Sequence, residues 1–284
     1  MEYKILGNGV KMPMLGLGTF KSNDPEICAN SVCEAIRMGY RLIDTAQCYW
    51  NEEYVGKGIA CSGVPREDLF ITTKVWFKFF DRAYDSVLES MDKLRTDYLD
   101  LVLIHWPFAD TYKAWRALEK LYREGRIRAI GVSNYNADRL VDLISYNEVA
   151  PAINQIETNL ICQQRTNREW MDKFGVAHES YAPFGQGRVD EIYGRESILA
   201  IAAKYGKTPR QITLRFLIQE GIIVIPKSTH ADRLRENFEV FDFTLEPQEM
   251  EVLRAYDTGK PLVGTPDNPE KVERLAKEQA PAGK

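Results

Sequence analysis

The chain has 284 residues, 44% apolar and 27% charged, with a formal net charge of −4. That is an ordinary globular balance, long enough to bury a sizeable core. The acidic sum, without a basic run interleaved with aromatics, argues against a nucleic-acid partner, and no stretch approaches the roughly eighteen uninterrupted apolar residues of a membrane span.

The opening YKILGNGVKMPML reads as a hairpin turning at Asn8-Gly9. Eight short apolar or β-branched runs follow: 15–20, 41–46, 69–76, 99–106, 127–134, 151–157, 177–183 and 221–228. Between them lie segments such as PEICANSVCEAIRMGY and AYDSVLESMDKLR, whose apolar positions recur three and four apart. Parallel strands need long crossovers, so this alternation predicts a parallel sheet. Eight units favour closure into a (β/α)8 TIM barrel. An open doubly wound sheet is the rival, but GNGVKM and GLGTFK lack the third glycine of its phosphate turn.

Two helical patterns, RESILAIAAKY and TPRQITLRFLIQE, separate the last two strands, and LEPQEMEVLRAYD adds another helix. We expect one domain over 1–284, with 257–284 a mobile C-terminal tail. The five cysteines (Cys28, Cys33, Cys48, Cys61 and Cys162) lack CxxC spacing and neighbouring histidine clusters. They predict neither a metal site nor a disulfide framework, but reduced thiols. With no apolar signal core in the first residues, the expected compartment is the cytoplasm.

In a barrel, chemistry sits at the carboxyl ends of the strands. The second strand ends in Asp44, with Tyr49 on the next loop; the third carries Lys74 and the fourth His105. Period-two alternation puts Asp44 in phase with Leu42, Lys74 with Thr72 and His105 with Leu103, so one pleat aims all three inward. A buried lysine is costly unless paired, and Asp44 is its natural partner. An ammonium beside Tyr49 is expected to lower the phenol's pKa, and His105 to share its proton. Such a phenol suits proton donation to a carbonyl oxygen. Singly, each residue has a dull explanation: a loop cap, a strand-end lysine, loop packing, a core histidine. Together they form a site.

LIDTAQCY, NEEYVG, ITTKVW, IHWP, GVSNY and NQIE, in that order, resemble the aldo-keto reductase superfamily from about Gly16 to Asp242. The short FADTYKAW loop is similar to bacterial-type members of the 2,5-diketogluconate reductase group. The resemblance implies a barrel that reduces aldehydes or ketones with NADPH. It places Asp44, Tyr49, Lys74 and His105 on a catalytic tetrad with Tyr49 as proton donor.

IPKSTHADRLREN places Lys227, Ser228 and Arg233 near a helix N-terminus, a favourable setting for phosphate. The segment resembles the family's grip on the adenosine 2′-phosphate, with Glu236 and Asn237 at adenine-contacting positions, so NADP(H) is preferred over NAD. By the same resemblance Ser133, Asn134 and Gln155 would hold the nicotinamide carboxamide, Tyr181 would stack under the ring, and 184–188 would cover the pyrophosphate. His230 reads as a solvated helix-start residue. Phe20, Trp50, Trp76 and Trp106 predict an aromatic substrate pocket, narrowed by Trp50. ETNLICQQ departs from the family pattern and puts Cys162 near the barrel top. We expect a monomer acting on a small carbonyl compound. Two other readings are a cofactor-binding regulatory subunit of the same fold and a phosphate-binding barrel isomerase or lyase.

Overall fold

The computed structural model describes residues 1–277. Its strands are β1 (Tyr3–Ile5), β2 (Lys11–Pro13), β3 (Gly16–Gly18), β4 (Leu42–Asp44), β5 (Phe70–Val75), β6 (Leu99–Ile104), β7 (Ile127–Ser133), β8 (Ile153–Glu157), β9 (Ala177–Tyr181) and β10 (Ile223–Val224). The first two pair antiparallel around the Asn8-Gly9 turn, where Gly9 takes a φ of 85°. The other eight run parallel in chain order from β3 to β10. Closure comes from a parallel bridge between Leu15 and Val224, with Val224 N–H donating to the Met14 carbonyl at 2.9 Å. The expected (β/α)8 barrel is therefore the fold.

Local chemistry sets the helix ends. Asp24 Oδ1 accepts from Ile27 N–H at 2.9 Å and Pro25 opens the helix Pro25–Met38. Gly39 ends it at φ 117°, with a Cβ there only 2.7 Å from the Phe238 ring. The Thr208-Pro209 start expected for the helix Pro209–Gln219 is a capping box closed by Gln211. Both helix patterns before β10 are present, as Glu196–Tyr205 and Pro209–Gln219.

All eight barrel strands are shorter than the sequence predicted, the last most of all. Ser180 O still accepts from Ile225 N–H at 3.3 Å, but Pro226 has no N–H to extend the ladder, so β10 stops at Val224. The expectation of reduced cysteines is corrected: Cys33 and Cys61 form a disulfide, their Cα atoms 5.6 Å apart. Twenty-eight positions separate them in sequence, yet the helices Pro25–Met38 and Glu52–Ser62 lie side by side and bring them together. Cys28, Cys48 and Cys162 are free.

Beyond the helix Pro247–Arg254 the chain turns back across the barrel mouth. Both oxygens of Glu157, at the end of β8, accept backbone N–H groups there, from Leu262 at 2.6 Å and Val263 at 2.8 Å. Arg188 also donates to the Leu262 carbonyl. The helix Pro269–Lys277 follows. Within the stretch expected to be a mobile tail, 262–263 bond to the barrel and 269–277 are helical, and 278–284 lie outside the described residues.

Candidate active site

A cavity of about 540 Å³ opens at the carboxyl ends of the strands, walled by Asp44, Tyr49, Trp76, His105, Trp106, Ser133, Asn134, Gln155, Tyr181 and Lys227 among others. Parallel register explains the convergence: Gly18 lies beside Asp44, Asp44 beside Thr72, and Lys74 beside Leu103. Lys74 has no exposed surface. Its Nζ donates to Asp44 Oδ1 at 2.5 Å and to the Thr45 carbonyl at 2.9 Å, so the expected buried pair exists. Each partner offsets the other's desolvation.

Tyr49 ends the short 3-10 turn Gln47–Tyr49 after β4. Lys74 Nζ stands 5.1 Å from the Tyr49 ring centroid, and the His105 ring meets that ring edge-on at 5.7 Å. Asp44, Tyr49 and His105 thus share one wall, with Lys74 fully buried beside them. The phenol departs from the expected acidity: burial, then the charge of Asp44, pushes it well above its usual value. The reason is first the loss of water around the hydroxyl, which disfavours phenolate, and then the nearby Asp44 carboxylate, which repels it. Tyr49 is a protonated donor across the neutral range. Burial first, then Lys74, holds His105 well below the usual histidine range, so its imidazole is neutral.

Gln155 links this wall to a second acid. Its Nε2 donates to Asp44 Oδ2 and to Glu179 Oε2, each at 2.9 Å. Both amide hydrogens are thereby committed, leaving Oε1 as the acceptor. Glu179, fully buried on β9, is pushed up to about 8 by burial and then by Asp44. Asn134 adopts φ 63°, donates to the His105 carbonyl and to Ser133 Oγ at 3.0 Å each, and accepts from the Tyr181 hydroxyl at 2.8 Å. Ser133 Oγ donates to the Gln155 carbonyl at 2.9 Å. The structure therefore brings Ser133, Asn134, Gln155 and Tyr181 together beside the Asp44–Lys74 pair.

Lys227 lines the same cavity, with Ser228 buried beside it. Ser228 Oγ accepts from His230 N–H at 3.1 Å, and exposed His230 precedes the helix Ala231–Phe238. Arg233 is exposed in its first turn, Asn237 is buried, and Glu236 accepts from Thr208 Oγ1 at 2.6 Å. Phe184 and Gln186 reach the cavity wall from the 3-10 turn Gly185–Gly187.

Of the expected aromatics, Phe20, Trp76 and Trp106 line the cavity, and Phe20 packs against Tyr49 at 5.1 Å. Trp50 does not: it is 70% exposed and does not narrow the pocket. Its left-handed backbone (φ 56°, ψ 26°) closes the 3-10 turn and leaves its side chain in solvent. Cys162 is buried beside a separate polar hollow that also contains Arg165 and Arg254.

Three chemistry-bearing side chains were not expected from the sequence: Cys48 and Lys271 on the cavity wall, and Glu179 buried beside Gln155. Cys48 places Sγ 3.4 Å from His105 Nδ1; its position inside LIDTAQCY was a usable signal. Glu179 lies two residues before Tyr181 on β9, so period-two alternation pointed to it. Lys271 reaches the wall from the final helix, and nothing in its neighbourhood announced that.

The profile of the aldo/keto reductase family matches residues 14–258. The chain is 44% identical to the 9,11-endoperoxide prostaglandin H2 reductase of Trypanosoma cruzi, over 93% of this chain and 94% of that one. It is 43% identical to the glyoxal reductase of Bacillus subtilis, over 92% and 95%. It also resembles the crystal structure of a Bombyx mori aldo-keto reductase in complex with NADP, with a TM-score of 0.86, 35% identity and coverage of 93% and 95%.

Proposed function

Because the chain belongs to the aldo/keto reductase family, we propose that Tyr49 is the proton donor in its NADPH-dependent reduction of an aldehyde or ketone to an alcohol, supported by Asp44, Lys74 and His105. The observation that carries this reading is the buried Lys74–Asp44 pair beside a protonated phenol and a neutral imidazole at one cavity wall.

The residues present fit a nicotinamide. Gln155 Oε1 offers an acceptor, and Asn134, fixed by three hydrogen bonds, holds the Tyr181 ring at the wall. Lys227, Ser228 and Arg233 gather donors and positive charge about the start of the helix Ala231–Phe238, where a 2′-phosphate would be held. Glu236 and Asn237 lie one turn further along for the adenine. When bound, NADPH supplies hydride to the carbonyl carbon.

The chain's own residues do the rest. Tyr49 and His105 donate hydrogen bonds to the carbonyl oxygen and polarise it. As negative charge grows on that oxygen, Tyr49 transfers its proton and becomes phenolate. Lys74 stabilises the phenolate until solvent reprotonates it, and Asp44 keeps Lys74 in place. Trp76, Trp106 and Phe20 exclude water and suit flat or partly apolar substrates. No described helix is long and apolar enough to cross a membrane, and we place the reaction in the cytoplasm, where reduced nicotinamide is regenerated.

The test is NADPH oxidation with glyoxal, methylglyoxal and benzaldehyde as carbonyl compounds. We expect turnover with NADPH well above that with NADH. Arg233→Ala should weaken NADPH binding by about 1.5–3 kcal/mol, the size of one charged hydrogen bond, and leave NADH nearly unchanged. Equal loss for both cofactors contradicts the phosphate assignment.

A further inference from the structure

Lys271, on the helix Pro269–Lys277, lines the same cavity as Tyr49 and His105. Its Nζ stands 3.8 Å from the centroid of the Trp106 ring, and Trp106 in turn stacks on His105 at 6.4 Å. The ammonium is thus one aromatic layer away from the imidazole, and its charge reaches that imidazole.

Among the described residues this cation has no ion-pair partner. The carboxylate that acts on it is Glu157, whose two oxygens are already engaged by the Leu262 and Val263 N–H groups. Arg274, the other charge acting on it, has the same sign. Partial burial among Trp106, Val263 and Leu275 pushes the amine down to about 8. A half-buried ammonium without a counter-charge is costly, and the low local dielectric that makes it so also strengthens its attraction for an incoming anion. The other two cavity lysines are placed differently. Lys21 lies over Phe20 at 5.4 Å, and Lys227 belongs to the phosphate end.

Resting on the carbonyl-reductase reading of this cavity, we propose that Lys271 anchors a carboxylate on the substrate, so that the chain selects aldehydes and ketones bearing a carboxylate remote from the carbonyl. The carbonyl oxygen lies at Tyr49 and His105, the apolar middle of the substrate packs on Trp106 and Trp76, and the carboxylate meets Lys271. One point charge at an aromatic wall matches a singly charged carboxylate. A phosphate monoester, with twice the charge, asks for more donors than the single ammonium provides.

The experiment compares kcat/KM for matched pairs: 4-carboxybenzaldehyde against benzaldehyde, and succinic semialdehyde against butanal. Wild type should favour the acid of each pair by about tenfold, mostly through KM, with the advantage shrinking as salt is added. Lys271→Met, which keeps a side chain against Trp106, should bring the ratio near one, and Lys271→Arg should restore it. A wild-type ratio at or below one, or a ratio unaltered by Lys271→Met, overturns the proposal. So does a Lys271→Met variant that loses both members of a pair equally while binding NADPH more weakly, since that places Lys271 on the cofactor. Should wild type oxidise NADPH with none of the four aldehydes, the underlying reading fails as well; turnover of all four without a charge preference sinks the Lys271 inference alone. Inhibition of wild type by benzoate but not by benzamide, read as competition with benzaldehyde, supports the same contact without any substitution.

Discussion

The Cys48–His105 contact decides which imidazole nitrogen faces the substrate. Burial pushes the Cys48 thiol up to about 12, so it keeps its hydrogen, and His105 is neutral. An imidazole nitrogen is a better acceptor than a thiol sulfur, so S–H donates to Nδ1 and the ring proton resides on Nε2. That leaves Nε2–H to donate to a carbonyl oxygen. Cys48→Ala should therefore lower kcat by about tenfold, the size of one neutral hydrogen bond. Cys48→Ser, which retains a donor, should recover most of the loss. If serine is as poor as alanine in steady-state assays, the thiol only fills space. At this scale the grouping of the four residues was legible because Asp44, Lys74 and His105 lie at the ends of successive strands of one period, with Tyr49 on the loop after the first. The acidity of Tyr49 was not, since it depends first on the burial of its hydroxyl and then on the Asp44 charge beside it.

Strand β9 carries two buried titratable side chains with opposite consequences for stability. Glu179 is raised from 4.5 to about 8, chiefly by burial. The folded state therefore holds this proton where the unfolded chain has lost it, and stability falls as pH rises between those values, levelling above about 8. His178 is lowered from 6.5 to about 3, again chiefly by burial, with Thr158 Oγ1 2.7 Å from its Nε2. Folding excludes that proton, so stability climbs from about pH 3 to 6.5. Each pH unit inside either window is worth up to about 1.4 kcal/mol per group. Urea unfolding of Glu179→Gln should show a flatter decline between pH 6.5 and 8 than wild type. Parallel curves would mean that Glu179 is already ionised in the fold. The eight strands and the capped helices were readable because periodicity and caps are local signals. The Glu157 clasp on 262–263 and the Cys33–Cys61 disulfide were not, because each joins segments that tertiary packing rather than a local pattern brings together.

At the scale of the molecule, closure does the organising. The bridge between Leu15 and Val224 completes the cylinder and sets the first and last strands side by side. Gly18 leaves room for the Ile225 carbonyl, which a Cβ would approach to 2.8 Å. Only then do residues more than a hundred positions apart, such as Asp44 and Gln155, share a hydrogen bond. The returning chain adds Lys271 and Val263 as the outer wall, so one cavity joins Tyr49 and His105 to Ser133, Asn134, Gln155 and Tyr181. Fold class and the position of the site follow from the order of the units. The outer wall depends on where the last segment lands, which strand periodicity does not encode.

The most direct test of the central claim is aldehyde reduction by Tyr49→Phe, followed through NADPH oxidation, with cofactor affinity read from tryptophan quenching. Removing only the hydroxyl should cut turnover by about 10²–10⁴-fold, the range of a general acid, while NADPH still binds. Turnover near the wild-type rate would remove the proton from Tyr49 and contradict the account.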